Sequence, residues 1–118
     1  MANIAELDRK LNQMILEGKI LDAFDRFYAD DVVMQENETE PFRGKEVNRK
    51  REEEFVNSVE TFHGAQLRGE AVTGDVSYGE WWMDITKKGA GRLQLSQVAA
   101  RRWKDGKVVH EKFYYNAG

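Results

Sequence analysis

The amino-acid sequence predicts an α+β fold, with helices first and a curved antiparallel sheet after them. Up to Ser58, apolar residues recur at the spacing of amphipathic helices. From Glu60 onward, four β-rich segments alternate with the turn signals "GD", "KKGAG" and "KDGK". No linker, repeat or low-complexity tract interrupts the chain, so we expect residues 1–118 to form one domain.

Two helical patterns open the chain. Asn3 followed by Glu6 resembles a capping box, and apolar residues recur at helical spacing as far as Gly18, a natural helix stop. A shorter pattern from residue 20 to residue 28 predicts a second helix that ends at the paired aspartates Asp30 and Asp31.

A third helix is predicted from about Lys45 to Ser58, after the loop that holds the single proline. Most of its residues are charged, and we interpret the run "RKREEE" as a solvated helix face. The predicted apolar stripe consists of Val47, Phe55, Val56 and Val59.

Alternating side chains predict the strands and their two faces. The first strand is expected at residues 32–37, and the others near 60–73, 76–87, 91–103 and 107–116. The more apolar face should contact the helices and contain Met34, Trp81, Met83, Ile85, Leu93, Leu95, Val109, Phe113 and Tyr115. The polar residues Glu36, Gln97, Arg101 and Glu111 share that face. A few polar groups in an apolar, aromatic cavity are typical of a small-molecule site.

Composition excludes several function classes. The net charge is −3 and the longest basic run is followed at once by three glutamates, which disfavours nucleic-acid binding. There are no cysteines and only two histidines, so we expect no metal site and no cofactor, although a site built from carboxylates stays open. No secretory signal and no apolar run of membrane-spanning length is present, which favours a cytoplasmic location.

Three stretches, "LDAFDRFYADDVVMQ", "RGKEV" and "RRWKDGKVVHEKFYYN", resemble the nuclear transport factor two-like superfamily over essentially the whole chain. Within it, the sequence is most similar to the SnoaL-like branch, which includes polyketide cyclases, and more distantly to ketosteroid isomerase. The resemblance implies a cone-shaped α+β barrel of the cystatin-like type, with a pocket at its open end and a homodimer formed through the outer sheet face. These motifs specify the fold and only weakly the function.

The resemblance also suggests catalytic positions. In ketosteroid isomerase an acid follows the "YADD" stretch by five residues, and here that position is Glu36, the candidate general base. The isomerase's phenol and protonated acid would fall near Leu11 and Ala99, and the cyclase acid near Phe113. None of these side chains can donate or accept a proton, which argues against both reactions.

Two functions therefore remain open. In the first, the chain binds a small apolar or mixed organic ligand and catalyses proton transfer, isomerisation, cyclisation or dehydration, with Glu36 as base and Gln97, Glu111 or Tyr115 assisting. In the second, it is a non-catalytic binding or association module. In that case the Glu36 side chain is solvated or forms a salt bridge, and Glu111 pairs with Arg101. The outer face, with Trp82, Val98, Ala100 and Tyr114, is the predicted dimer surface.

Overall fold

Three helices and six strands make up the computed structural model, which describes residues 3–116. Their bounds are α1 (Ile4–Leu16), α2 (Ile20–Phe27), β1 (Tyr28–Glu36), β2 (Phe42–Arg43), α3 (Lys45–Ser58), β3 (Val59–Thr73), β4 (Val76–Lys87), β5 (Gly91–Lys104) and β6 (Lys107–Tyr114). The helices pack on one face of a curved, unclosed sheet, which confirms the predicted α+β class.

The sheet has the strand order β2-β1-β6-β5-β4-β3. The successive strands β3, β4, β5 and β6 pair antiparallel with one another, as predicted. The β1–β6 pair, in contrast, is parallel, because Met34 lies opposite Glu111 and Glu36 opposite Phe113 in the same direction. The sheet is therefore mixed, and the expectation of a purely antiparallel sheet was wrong for this pair. The short strand β2 was not predicted.

Helix α1 begins and ends as its sequence predicts. The side chain of Asn3 accepts a hydrogen bond from the backbone N–H of Glu6 at 2.8 Å, which caps the first turn. Gly18 has a φ of 80°, a left-handed conformation that favours glycine and ends a helix.

The boundary between α2 and β1 differs from the prediction. The helix ends at Phe27 and the strand begins at Tyr28, so the two aspartates do not terminate the helix but lie exposed within the strand. The pairing with β6 shifts between Tyr28 and Val33, and in this irregular stretch Asp30 is exposed although Tyr28 and Val32 on either side of it are buried.

Helix α3 has the predicted bounds but a different buried face. Val47 is 47% exposed, so its assignment to the apolar stripe was wrong. Asn48 instead is fully buried and donates hydrogen bonds to the carbonyls of Phe42 and Gly44, each at 2.9 Å. Glu52 lies one turn further along this face, so part of the charged run contacts the protein interior rather than solvent.

Strand β6 contains a bulge that shifts one predicted core residue. Trp103 pairs with Val108 and Arg102 pairs with His110, so Val109 has no partner residue. Val108 is fully buried in the core, whereas Val109 is only partly buried. The prediction that Val109 contributes to the interior was therefore wrong by one residue.

The apolar core lies between α1, α2 and the β1–β6–β5 region of the sheet. Its buried members are Leu11, Ala23, Phe24, Phe27, Tyr28, Val32, Met34, Trp103 and Val108. Within residues 3–116, no helix is both long and apolar enough to cross a lipid bilayer.

A buried ionic cluster joins α1 to the sheet beside this core. The Arg101 guanidinium donates to Glu111 at 2.6 Å, to Asp8 at 2.8 Å and to Asn12 at 2.5 Å. The side chains of both ion pairs are at most 5% exposed. Ser77 donates a further hydrogen bond to Asp8 at 2.8 Å. Removing one member of such a cluster strongly destabilises the fold, because the remaining charges would be buried without a partner.

We therefore expect Arg101→Gln to lower the free energy of unfolding by about 3–5 kcal/mol at pH 7. The variant leaves the Asp8 and Glu111 carboxylates buried without their cation. Chemical denaturation followed by circular dichroism measures the loss.

The neighbouring residue provides a matched control. Arg102 is exposed and points to the opposite face of the same strand, so Arg102→Gln should change the free energy of unfolding by less than about 0.5 kcal/mol. Equal losses in the two variants would contradict a structural role for the buried cluster.

Candidate functional site

A cavity of about 390 Å³ lies between the helices and the inner face of the sheet. Its walls are mainly apolar and aromatic: Leu11, Ile15, Ile20, Ala23, Phe24, Tyr28, Met34, Phe55, Trp81, Met83, Leu95 and Phe113. All three helices and the strands β1, β4, β5 and β6 contribute side chains, so the site exists only in the folded chain. The volume and lining are those of a small-molecule site.

The mouth of the cavity is polar. Glu36 is paired with Arg51 at 2.9 Å, and its side chain is 41% exposed. The Tyr115 hydroxyl donates to the other Glu36 oxygen at 3.2 Å, which positions the residues after β6 beside the opening. Leu95 is 38% exposed and completes this rim.

The floor of the cavity is the buried ionic cluster. Glu111, which is 1% exposed, accepts hydrogen bonds from Arg101 and from the Tyr28 hydroxyl, the latter at 2.6 Å. Burial and the adjacent Glu111 carboxylate raise the pKa of Tyr28 well above its usual value, so this phenol stays protonated. The floor is rigid, and its polar groups already have protein partners.

Glu52 of α3 is a third carboxylate at the cavity. It is partly buried, and no group within residues 3–116 forms a hydrogen bond or ion pair with it. Burial raises the pKa of Glu52 to about 7, and the nearby carboxylates of Glu111 and Glu36 act in the same direction. Arg51 and Arg101 oppose this shift, but each already serves another carboxylate.

The cavity brings together all the residues that the sequence analysis assigned to the site. Lining it are Glu36, Glu111, Met34, Trp81, Met83, Gln97, Arg101, Phe113 and Tyr115. Their individual roles remain predictions. Of the alternatives left open for the two acids, the Glu111–Arg101 pair is present, and Glu36 both lines the mouth and forms a salt bridge.

Sequence reasoning missed Glu52, Arg51 and Tyr28. Tyr28 was placed in a helix, and the two charged residues were assigned to a solvated face. A signal for Glu52 does exist, because Glu52 and Phe55 lie three residues apart on one face of α3. The acidic neighbours at positions 53 and 54 obscured that spacing.

One glycine fixes the position of an aromatic wall. A Cβ atom at Gly79 would lie 3.0 Å from Trp81 Nε1 and 3.2 Å from a Leu67 methyl carbon. Both approaches are shorter than ordinary contacts, so a larger residue at position 79 would have to displace the Trp81 indole or the Leu67 side chain slightly.

The part of the chain that the structure describes contains no group of three or more His, Asp or Glu side chains arranged to hold a metal ion. The polar side chains that line the cavity carry carboxylate, amide, phenol, hydroxyl, guanidinium and ammonium groups.

Comparison with known proteins identifies the family. Residues 2–115 match the model of the SnoaL-like domain. Among curated protein sequences, none matches the chain significantly.

Solved structures agree with this assignment. A candidate SnoaL-like polyketide cyclase from Mesorhizobium loti is 28% identical, with a TM-score of 0.87 over 97% of this chain and 100% of that chain. Two more distant proteins share the fold. One is a candidate SnoaL-like polyketide cyclase from Jannaschia sp. CCS1, which is 9% identical with a TM-score of 0.79 over 98% of this chain and 90% of that chain. The other is an LEH-like epoxide hydrolase from Mycobacterium tuberculosis, which is 18% identical with a TM-score of 0.77 over 95% of this chain and 84% of that chain. The chain thus belongs to the SnoaL-like domain family.

Proposed function

We propose that the chain is a cofactor-independent acid–base enzyme that acts on a small apolar or mixed organic molecule, by isomerisation, cyclisation or dehydration. The observation that carries this proposal is Glu52, a carboxylate at an apolar cavity that forms no hydrogen bond or ion pair with any of residues 3–116. A general acid or base works best when its pKa lies near the working pH. Burial raises the pKa of Glu52 to about 7, which suits it to accept and return a proton at neutral pH.

Glu36 was the residue predicted as base, and the geometry favours Glu52 for that role. Glu36 is 41% exposed and engaged by both Arg51 and Tyr115, so its charge is compensated and solvated. We assign Glu36 to holding Arg51 in place at the mouth. Catalysis by Glu36 itself stays the alternative, and the variants below separate the two.

Gln97 is the candidate for stabilising negative charge on the substrate. Its side chain lines the cavity, and none of the described residues forms a hydrogen bond with its amide. An amide N–H aimed at a developing oxyanion is a recognised catalytic device. The Tyr28 hydroxyl is less available for this purpose, because it already donates to Glu111.

A specific observation also favours the second candidate, a non-catalytic binding module. The polar groups of the cavity floor, Tyr28, Arg101 and Glu111, are bonded to one another. If Glu52 only binds a ligand, its removal weakens binding without affecting any chemical step. The two functions therefore differ in whether proton exchange occurs.

Proton exchange provides the first test. We expect the wild-type protein to accelerate exchange of the α-protons of small aryl ketones with D₂O, measured by NMR near pH 7. Glu52→Gln should reduce this acceleration by about 10²–10⁴-fold, the contribution of a positioned general base. Gln97→Leu should reduce it by a smaller factor.

Two variants serve as comparisons. Glu54→Gln alters an exposed glutamate on the same helix and should leave the exchange rate unchanged. If Glu36→Gln abolishes exchange while Glu52→Gln does not, Glu36 is the base. Absence of exchange in the wild type across the ketone series argues for the binding module.

The pH dependence of stability tests the environment of Glu52 without any substrate. Its pKa rises from 4.5 to about 7 on folding, so ionisation costs more in the folded state than in the unfolded state. Glu52→Gln should therefore leave stability unchanged at pH 4. Between pH 4.5 and pH 7 the free energy of unfolding of the variant should increasingly exceed that of the wild type, and the difference should reach about 3 kcal/mol at pH 8. Urea denaturation at these pH values measures it, and a destabilised variant at pH 8 would refute the assignment.

We also propose that the chain forms a homodimer through the outer sheet face. On this face Tyr78 is 39% exposed, Val98 38% and Tyr114 45%. Tyr114 pairs with Val98 across β5 and β6, so the exposed apolar groups are contiguous with partly buried Ala100 and Trp82. Exposed aromatic and aliphatic groups clustered on one sheet face are typical of an interface.

Val98→Asp should convert the dimer into a monomer, because the substitution places two like charges near the centre of a symmetric contact. Sedimentation equilibrium measures the mass. Val72→Asp, at a side chain that is 42% exposed on the edge strand β3, should leave the dimer intact. A wild-type protein that sediments as a monomer would contradict the proposed homodimer.

A further inference from the structure

We infer that the cavity binds a ligand that carries a positively charged nitrogen, seated between Glu52 and the aromatic walls. This inference rests on the proposed function in taking the cavity as the ligand site. It does not depend on which reaction follows. The argument comes from the charges around Glu52, since every other carboxylate of the cavity has a cationic partner in the protein.

The guanidinium of Arg51 is fully engaged at the mouth. It donates to Glu36 at 2.9 Å and to the Asn48 side-chain oxygen at 3.1 Å, and it lies 3.7 Å from the centre of the Phe42 ring. These three contacts hold it beside the rim. Arg51 thus forms its ion pair with Glu36 rather than with Glu52, and it acts on Glu52 only through its longer-range charge.

The guanidinium of Arg101 is engaged at the floor. It serves two carboxylates, Asp8 and Glu111, and also bonds to Asn12. The floor cluster thus has two carboxylates for one guanidinium and carries an excess negative charge. This charge adds to that of Glu52 and makes the potential inside the cavity negative.

Lys87 is the remaining cation of the lining. Its amino group lies 5.9 Å from the centre of the Phe55 ring, and among the described residues it forms no ion pair with a carboxylate. The cavity and its floor therefore contain four carboxylates and three cations. The carboxylates are Asp8, Glu36, Glu52 and Glu111, and the cations are Arg51, Lys87 and Arg101. The excess charge remains negative, and within the described part of the chain Glu52 alone of these four lacks a cationic partner at hydrogen-bond distance.

Aromatic rings complete the binding surface. The cavity is lined by Phe24, Tyr28, Phe55, Trp81 and Phe113, and the first two stack with ring centres 4.6 Å apart. The faces of such rings attract cations, most strongly where water is excluded. Aromatic walls together with one unpaired carboxylate therefore complement an organic cation better than a neutral molecule, and they repel an anion.

Such a ligand would also change the protonation of Glu52. In the free protein the carboxyl is largely protonated below neutral pH, since burial, Glu111 and Glu36 all raise its pKa. A cation placed beside it stabilises the ionised form and expels the proton. Ligand binding then leaves Glu52 ionised, which is the form that accepts a proton from the substrate.

Isothermal titration calorimetry with a matched pair of probes tests the inference. Phenyltrimethylammonium is permanently charged, and tert-butylbenzene has the same shape without the charge. We expect the cation to bind at least about tenfold more tightly than its neutral isostere, the size of one modest charge interaction. Its affinity should fall about tenfold from pH 8 to pH 6, as Glu52 takes up its proton.

Two variants locate the effect. Glu52→Gln should weaken binding of the cation about tenfold or more, leave the neutral probe unchanged and remove the pH dependence. Glu54→Gln should match the wild type. Equal affinity for the two probes, or a cation affinity independent of pH in the wild type, overturns the inference. Cation binding without proton exchange in ketones would contradict only the proposed reaction. Proton exchange without a preference for the cation would contradict only this inference.

Discussion

The ion pairs of Arg101 organise both the fold and the site. One guanidinium joins Asp8 and Asn12 of α1 to Glu111 of β6, and through Asp8 it reaches Ser77 of β4. The Nε and Nη1 groups of this buried arginine bond to both elements, and the directionality of these hydrogen bonds restricts the angle between helix and sheet. The floor of the cavity is consequently rigid, and the walls are built upward from it.

The same cluster accounts for the electrostatics above it. Two carboxylates share Arg101, and Arg51 is held at the rim by Glu36, so both guanidinium groups compensate Glu52 only in part. The raised pKa of Glu52 results first from burial and then from the neighbouring carboxylates Glu111 and Glu36. A carboxylate with such a pKa can accept and return a proton near neutral pH.

Alternation along the strands was sufficient to predict which side chains face the helices, since a two-residue period leaves little ambiguity in long strands. The errors occur where one residue changes the register. Val109 is displaced by a bulge, and Tyr28 begins a strand at a position whose pattern also fits a helix. Glu52 was missed for another reason: it lies among charged residues, so no contrast in hydrophobicity marks the side of α3 that turns inward.

The parallel pairing of β1 with β6 has a consequence for how the chain folds. Partners such as Met34 and Glu111 are far apart in sequence, so closing this pair requires the whole intervening chain to be in place. The helices and the β3–β5 hairpins precede β6 in the sequence and can form before it joins them. Their apolar faces stay uncovered until β6 inserts between β1 and β5. A partly folded chain in which β6 has not yet inserted therefore exposes the apolar surface that normally encloses the cavity, and such exposed surfaces promote aggregation.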